Sequence, residues 1–332
     1  MDQTLLMTEQ EIINHIQKLT RDRNSNRWDD RTQGGAPHKP FLLLSIIDGL
    51  KIGWIKNSHI TLTQDLIETF FRYWKQIMGE DRKTTIALPF FHMDSKPFWE
   101  LHYKEGKSPY KNSPSLGGLM NRVAYAKMDE TLFYMMQDEE ENQIITRIIL
   151  TTYFTDEVQE QILNIRNINI GAYRYANQLE LLAAEPFTKY HADNNSESYS
   201  WQKTQQRQHG FRLKVRENYE HRCAICRSRV RTQNGESLVE GAHIIPWSKS
   251  QNNDLRNGLA LCKTHHWMFD AYLLTIQPNY HIELSSWLKN EGENIERTLG
   301  WDRKEILLPD EQRFFPSEVA LEEHNEQFKS AS

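Results

Sequence analysis

Three cysteines and one histidine in the last third of the chain have the spacing of a metal site. Cys223 and Cys226 are separated by two residues, as are Cys262 and His265, and 35 residues lie between the two pairs. Such pairs place four ligands around one tetrahedral ion and leave no open position for a substrate. The chain has only these three cysteines, and their odd number and clustering argue against a disulfide framework. The spacing therefore predicts a structural Zn²⁺ site in a reducing compartment.

The segment Val239–Asp270 contains polar residues suited to phosphodiester hydrolysis. Its sequence predicts a strand, a loop over Pro246–Arg256, a second strand and the start of a helix. Hydrolysis needs an activated water, a cation on the phosphate oxygens and groups that orient both. His243, at the end of the first strand, is a candidate general base because imidazole titrates near neutrality. His266 is a candidate ligand of a divalent cation, and Asn257 can orient the base or its loop.

Together with the metal-binding pairs, the pattern AHIIP…NGLALC-x2-HH-x2-FD resembles the HNH (ββα-metal) endonuclease family over about residues 205–285. The resemblance implies that His243 is the catalytic base, Asn257 the middle asparagine and His266 the last catalytic histidine. It also implies that the cysteines and His265 bind structural zinc.

The sequence departs from many members of that family at one position. They carry an acidic metal ligand directly before the first histidine, whereas this chain has Ala242. Glu240 lies on the same strand face two residues earlier, about 7 Å away. Asp270 shares a helix face with His266 because it lies one turn later. Both are candidate ligands of a catalytic Mg²⁺ or Mn²⁺ ion that keeps several waters.

The remaining elements predict an α+β chain with a mainly helical N-terminal domain and a C-terminal ββα-metal domain. Apolar residues recur at helical spacing, and a polar stretch, EPFTKYHADNNSESYSW, has no periodicity and is the predicted linker. The predicted domains are residues 1–184 and 205–332, joined by a linker at 185–204. Helices are predicted over 8–20, His38–Ile55, Leu66–Met78, 129–137, 143–154 and 156–165, with an extended segment over 84–103.

The motifs GGAPHKPFLLLSIIDGL, SKPFWEL and NRVAYAKMDETLF resemble the sulfur-binding domain of phosphorothioate-dependent restriction endonucleases over roughly residues 8–165. In that family the domain precedes an HNH nuclease, as here. A phosphorothioate carries sulfur in place of one phosphate oxygen, and its recognition needs an apolar dimple beside cationic groups. On this resemblance the donors are His38, Lys39 and Arg122, and the dimple consists of Pro97, Phe98 and Trp99. Glu100 departs from the neutral or basic residue expected near a phosphate.

Composition agrees with a DNA-binding enzyme only locally. The net charge is −5, but Lys203–Arg231 contains nine basic and two acidic residues, which fits a surface that faces phosphate. No apolar run is long enough to span a membrane, and the acidic start does not resemble a signal peptide. We therefore expect a cytoplasmic restriction endonuclease for phosphorothioated double-stranded DNA. Cutting both strands requires two active sites or two visits, which favours a homodimer. Two alternatives stay open: an HNH endonuclease for methylated or unmodified DNA, and a non-catalytic zinc-containing DNA-binding regulator.

Overall fold

The chain divides into two compact units, and the division falls within a long helix. The computed structural model describes residues 6–183, 185–188, 200–232, 236–291 and 296–331. The first unit is Met1–Ile170 with Gln233–Glu236, and the second is Gly171–Thr232 with Ser237–Ser332. No helix within these described ranges is long and apolar enough to cross a bilayer.

The structure describes only the two ends of the predicted linker. Residues 189–199 lie outside the described part of the chain. Before them, the carbonyls of Glu185 and Thr188 accept hydrogen bonds from the side chains of Arg256 (2.8 Å) and Asn252 (2.7 Å), in the second unit. After them, a helix begins at Trp201. The division at 1–184, 185–204 and 205–332 therefore stays a proposal.

Helices form most of the first unit, in agreement with the predicted α+β class. The central one, α2, is buried on all sides, as its uninterrupted apolar run predicts. It ends at Gly53, whose φ of +95° is a conformation that favours glycine. The amphipathic α3 begins after Thr63, whose hydroxyl accepts a hydrogen bond from the Leu66 amide. The helices are α1 Glu9–Gln17, α2 His38–Ile52, α3 Gln64–Met78, α4 Ala87–His92, α5 Leu116–Arg122, α6 Glu130–Gln137, α7 Glu139–Tyr153 and α8 Asp156–Leu182.

A three-stranded antiparallel sheet completes the first unit. Its strands are β1 His59–Ile60, β2 Trp99–Tyr103 and β3 Val123–Met128, in the order β1-β3-β2. The segment predicted as extended over 84–103 begins instead with α4. Pro89 does not prevent this helix because it occupies the first turn, where no amide donor is required.

The second unit is built around a β-hairpin between two helices. The hairpin pairs β4 (Val239–His243) with β5 (Gly258–Cys262) in antiparallel fashion. Val239 lies opposite Cys262, and His243 lies opposite Gly258. A second hairpin, β6–β7, and the C-terminal helix α14 pack into the same core. The elements are α9 Trp201–Asn218, β4 Val239–His243, α10 Trp247–Ser250, β5 Gly258–Cys262, α11 Lys263–Asp270, β6 Leu274–Ile276, β7 Ile282–Leu284, α12 Ser286–Glu291, α13 Glu296–Leu299 and α14 Glu318–Ala331.

Two glycines let the first hairpin approach α9 closely. A Cβ atom on Gly241 would lie 2.8 Å from the Arg212 Cα atom, and one on Gly258 would lie 2.5 Å from a Val215 methyl group. Any side chain at either position would therefore push the hairpin away from the helix. The close packing fixes the end of β4, where His243 is located.

The acidic C-terminal tail, which follows Trp301, belongs to the core of the second unit. In α14 the Asn325 side chain donates to the Ile276 carbonyl at 2.9 Å. The buried His324 ring stacks on Phe269 and lies 2.8 Å from the Thr275 hydroxyl. The tail thus supports α11 from its C-terminal end.

Candidate functional site

Cys223, Cys226, Cys262 and His265 form one cluster, as their spacing predicted. Their ligand atoms all lie within 4.8 Å of one another. The Nδ1 atom of His265 is 3.3 Å from the Cys223 sulfur and 3.1 Å from the Cys262 sulfur. In the part of the chain that the structure describes, no other group of Cys, His, Asp and Glu converges in this way. Three thiols and one imidazole around a common point fit a tetrahedral metal ion.

Neighbouring segments hold this cluster in place. The backbone amide of Ala224 donates to the Ala260 carbonyl at 2.7 Å, which ties the first pair of ligands to β5. The Leu307 amide donates in turn to the Ala224 carbonyl at 2.7 Å. Trp301 presents its ring edge-on to His265, with 4.2 Å between centroids. The cluster therefore connects the first hairpin to the C-terminal segment.

His243 lies at the end of β4 in a tightly defined position. Its ring stacks on Phe211 with 3.9 Å between centroids and 8° between planes. Its Nε2 atom is 2.9 Å from the side-chain oxygen of Asn253. Burial is the main reason that the pKa of His243 is lowered to about 4, and the charges of Arg212 and His266 act in the same direction. The imidazole is therefore neutral at pH 7 and able to accept a proton.

Asn257 holds the loop that follows β4 and contacts neither imidazole. It is fully buried, and its side-chain oxygen accepts from the Ile245 amide at 2.8 Å. Its side-chain nitrogen donates to the carbonyls of Ile245 (3.1 Å) and Asn252 (3.0 Å). Of the two roles that the sequence left open for Asn257, the contacts favour orienting the loop.

His266 lies on α11 between two carboxylates. Its Nδ1 atom is 3.2 Å from a Glu240 oxygen, and its Nε2 atom is 3.4 Å from an Asp270 oxygen. Strand alternation explains the first contact, because Glu240 and Ala242 share one face of β4 while Gly241 and His243 share the other. The two carboxylates face opposite ring nitrogens, so the three side chains do not surround one point. His266 with either carboxylate offers nitrogen and oxygen donors suited to a divalent cation.

A cavity of about 920 Å³ in the first unit is lined by apolar and cationic side chains and by two carboxylates, Asp22 and Asp94. His38 and Lys39, at the start of α2, line it. Lys39 is only 7% exposed, and no carboxylate pairs with it among the residues described. Burial, with the charge of Lys96, lowers the pKa of Lys39 to about 8, so its ammonium group is mostly charged at pH 7. Other residues lining the cavity include Trp74, Arg82, Leu88, Pro89, Phe91 and His92.

The other predicted phosphorothioate contacts lie elsewhere. Phe98 and Trp99 are 0% and 2% exposed, and the Trp99 indole donates to the Phe90 carbonyl at 3.0 Å, so neither forms a surface dimple. Pro97 is exposed but does not line the cavity. The Arg122 guanidinium packs over the Tyr110 ring at 4.3 Å, also outside the cavity. The structure thus brings together only His38 and Lys39 of the six residues named from the sequence.

Part of the second unit matches a known family of endonucleases. Residues 223–277 match the HNH endonuclease family model. The chain therefore carries an HNH endonuclease domain, a metal-dependent class, and the predicted α+β fold is confirmed.

The N-terminal region matches a second family model. Residues 9–168 match the family model described as ScoMcrA-like, DNA sulfur-binding domain. The two matches together give the architecture that the sequence motifs predicted, with a DNA sulfur-binding domain before an HNH endonuclease domain.

Other comparisons add little. A solved structure, "Modification dependent TagI restriction endonuclease", is 21% identical over 35% of this chain, with a TM-score of 0.27. The chain matches about a third (36%) of the length of that protein. The TM-score is too low to establish a shared fold. A search of curated proteins gives no match.

Proposed function

We propose that this chain is a restriction endonuclease that binds phosphorothioate-modified double-stranded DNA and hydrolyses phosphodiester bonds near the modification. The observation that carries the proposal is the presence of a DNA sulfur-binding domain and an HNH endonuclease domain in one chain. The first domain would select the modified site, and the second would supply the chemistry.

We place the phosphorothioate contact in the cavity beside Lys39. A buried ammonium group without an acidic partner is costly unless an anion neutralises it. A phosphorothioate supplies that negative charge, while its weakly hydrated sulfur suits the apolar surface of Leu88, Pro89 and Phe91. Burial lowers the pKa of His38 to about 4, so its ring is neutral at pH 7. His38 and Arg82 lie in the same cavity and can donate hydrogen bonds to the remaining phosphate oxygens.

His243 is the proposed general base. It is neutral at pH 7 and held rigidly by Phe211, so it can accept a proton from the attacking water. Asn257 acts through the loop rather than on the reacting atoms. His266 with Glu240 or Asp270 would hold Mg²⁺ or Mn²⁺, which when bound stabilises charge on the phosphate and leaving oxygens.

The cysteine–histidine cluster is the proposed site of structural Zn²⁺. Its donor set and buried position fit zinc. Metal binding there would stabilise the fold by joining the segment of Cys223 and Cys226 to the end of β5 and the start of α11. Because the thiols must stay reduced, we propose a cytoplasmic location. Cutting two strands requires two active sites or two visits by one, and we propose the first, a homodimer on DNA.

Cleavage of matched duplexes tests the proposal. Three DNAs of one sequence, plain, methylated and phosphorothioated, are incubated with the protein and Mg²⁺ or Mn²⁺, and the cuts are mapped. We expect cleavage near the sulfur and much weaker cleavage of the other two. Equal cleavage of all three would reject the sulfur specificity but keep the nuclease, whereas preferred cleavage of methylated DNA would identify a different modification. No cleavage of any duplex would leave a DNA-binding regulator.

A further inference from the structure

We propose that Asn253, held by Tyr175, is a positioning residue that fixes the orientation and tautomer of His243. This inference rests on the proposed role of His243 as the general base. Neither residue belongs to the HNH pattern in the sequence. Tyr175 is 78 positions before Asn253, in α8, and both belong to the second unit.

Both ends of the Asn253 amide are used. Its oxygen accepts a hydrogen bond from His243 Nε2 at 2.9 Å, and its nitrogen donates to the Tyr175 hydroxyl at 3.1 Å. Asn253 is only 4% exposed, so water does not compete freely for either group. A neutral imidazole has one N–H group and one lone pair. With the proton of His243 on Nε2, its Nδ1 atom carries the lone pair.

The surroundings of the ring restrict it to this arrangement. Phe211 covers one face of His243 in parallel stacking, and Trp247 lies 6.1 Å away at 46°. Opposite His243 in the hairpin is Gly258, which has no side chain to compete for space. A half-turn of the ring would keep the stacking but replace Nε2 by a carbon atom, so the hydrogen bond to Asn253 fixes which way round the ring lies. Nδ1 is the atom left to accept the proton of water.

The same contacts explain how Asn257 influences the base from a distance. Its side-chain nitrogen donates to the Asn252 carbonyl at 3.0 Å, directly before Asn253 in the chain. It therefore fixes the backbone from which Asn253 reaches His243. The middle asparagine of the pattern holds the loop, and Asn253 makes the contact with the imidazole.

Three variants separate positioning from simple loop stabilisation. N253A removes the acceptor, N253D keeps an oxygen that accepts from Nε2–H, and Y175F removes the partner of the amide nitrogen. The exposed Asn279, in the turn of the second hairpin, provides the matched control N279A. For each protein we would measure the single-turnover cleavage rate, KM, zinc content and the ¹⁵N shifts of the His243 ring, which report its tautomer.

We expect N253A to lower the cleavage rate about 10- to 100-fold, the usual range for residues that orient a reactive imidazole. KM and zinc content should stay within about twofold of wild type, and the ¹⁵N shifts should show mixed tautomers. N253D should recover most of the rate and keep the proton on Nε2. It should also move the acidic limb of the pH profile upward, since its new charge opposes the effects of Arg212 and His266 on His243. Y175F should give a smaller loss.

Wild-type rates in N253A, or N253D as slow as N253A with an unchanged tautomer, would overturn the inference. If N253A does not fold, N253D and Y175F decide the matter through the same ¹⁵N shifts. A single unaltered tautomer in Y175F at full rate would then reject the role of the pair. Failure of the wild-type protein to cut any DNA is a different result, because it removes the proposed function itself.

Discussion

Replacing Lys39 by methionine should stabilise the first unit and weaken DNA binding at the same time. The pKa of Lys39 is lowered from 10.5 to about 8, mainly by burial. Each pKa unit corresponds to about 1.4 kcal/mol, so the charged form costs the free fold up to about 3 kcal/mol. Methionine fills a similar volume without that cost. Bound anion offsets the same cost in the wild type, and losing a hydrogen bond to a charged group weakens binding by about 1.5–3 kcal/mol.

The pH dependence has a definite sign. The folded pKa of Lys39 lies below the unfolded value, so the destabilisation is complete below about pH 8 and disappears by about pH 10.5. The stability advantage of K39M should therefore shrink across that window. The affinity of the wild type for phosphorothioated DNA should fall as the pH rises above about 8, because binding then requires a proton to be taken up.

Hydrogen exchange and DNA titration measure the two effects separately. Exchange of the buried amides of α2 reports the free energy of unfolding of the first unit within the full chain. Fluorescence anisotropy with plain and phosphorothioated duplexes gives the two Kd values, and K39M should raise the Kd for modified DNA roughly 10- to 150-fold. K127M, at an exposed lysine of β3 outside the cavity, is the matched control. Lower stability of K39M together with an unchanged ratio of Kd values would refute the assignment of the cavity.

Three further predictions concern the second unit. H243A should lower cleavage by about 10²- to 10⁴-fold without changing DNA affinity or zinc content, and full activity of H243A would show that His243 is not the base. The kcat/KM profile of the wild type should stay flat down to near pH 4. E240Q and D270N should differ, because only the carboxylate that shares the cation with His266 should weaken Mn²⁺ binding, by roughly tenfold or more; equal, unchanged Mn²⁺ affinities in calorimetry would exclude both. C262S should lose bound zinc and cooperative unfolding of the second unit while sulfur-selective DNA binding persists, and retention of one zinc per chain would contradict the cluster.

Local patterns were enough to predict the cysteine–histidine cluster and the two acidic neighbours of His266, because short spacings in the sequence determine each of them. The two ligand pairs, the strand alternation that places Glu240 beside His266 and the helical turn that adds Asp270 all follow from short-range spacing. Asn253 and Tyr175 could not be found in this way. Their contact joins positions 78 residues apart, and no local periodicity encodes a contact of that range.

In the first unit, the residue types of a motif do not show whether its side chains are exposed or buried. Phe98 and Trp99 have the residue types of an apolar binding surface, but the same types form cores, and packing against Phe90 decides for the core here. The more informative feature of the sequence is a charged residue at a position where a buried apolar residue is expected. Lys39 lies in the first turn of a largely buried helix, and such a lysine has either a partner or a ligand.

Ala242 stands where many HNH endonucleases carry an acidic metal ligand, and Glu240 is its proposed substitute. Position 242 is fully covered in the hairpin, and a carboxylate there would be buried beside apolar neighbours at a high desolvation cost. Glu240, on the same strand face, is half-buried and reaches His266 at 3.2 Å. The longer glutamate side chain spans part of the two-residue offset along β4. Glu240 together with His266 would therefore hold the divalent cation in place of an acid at position 242.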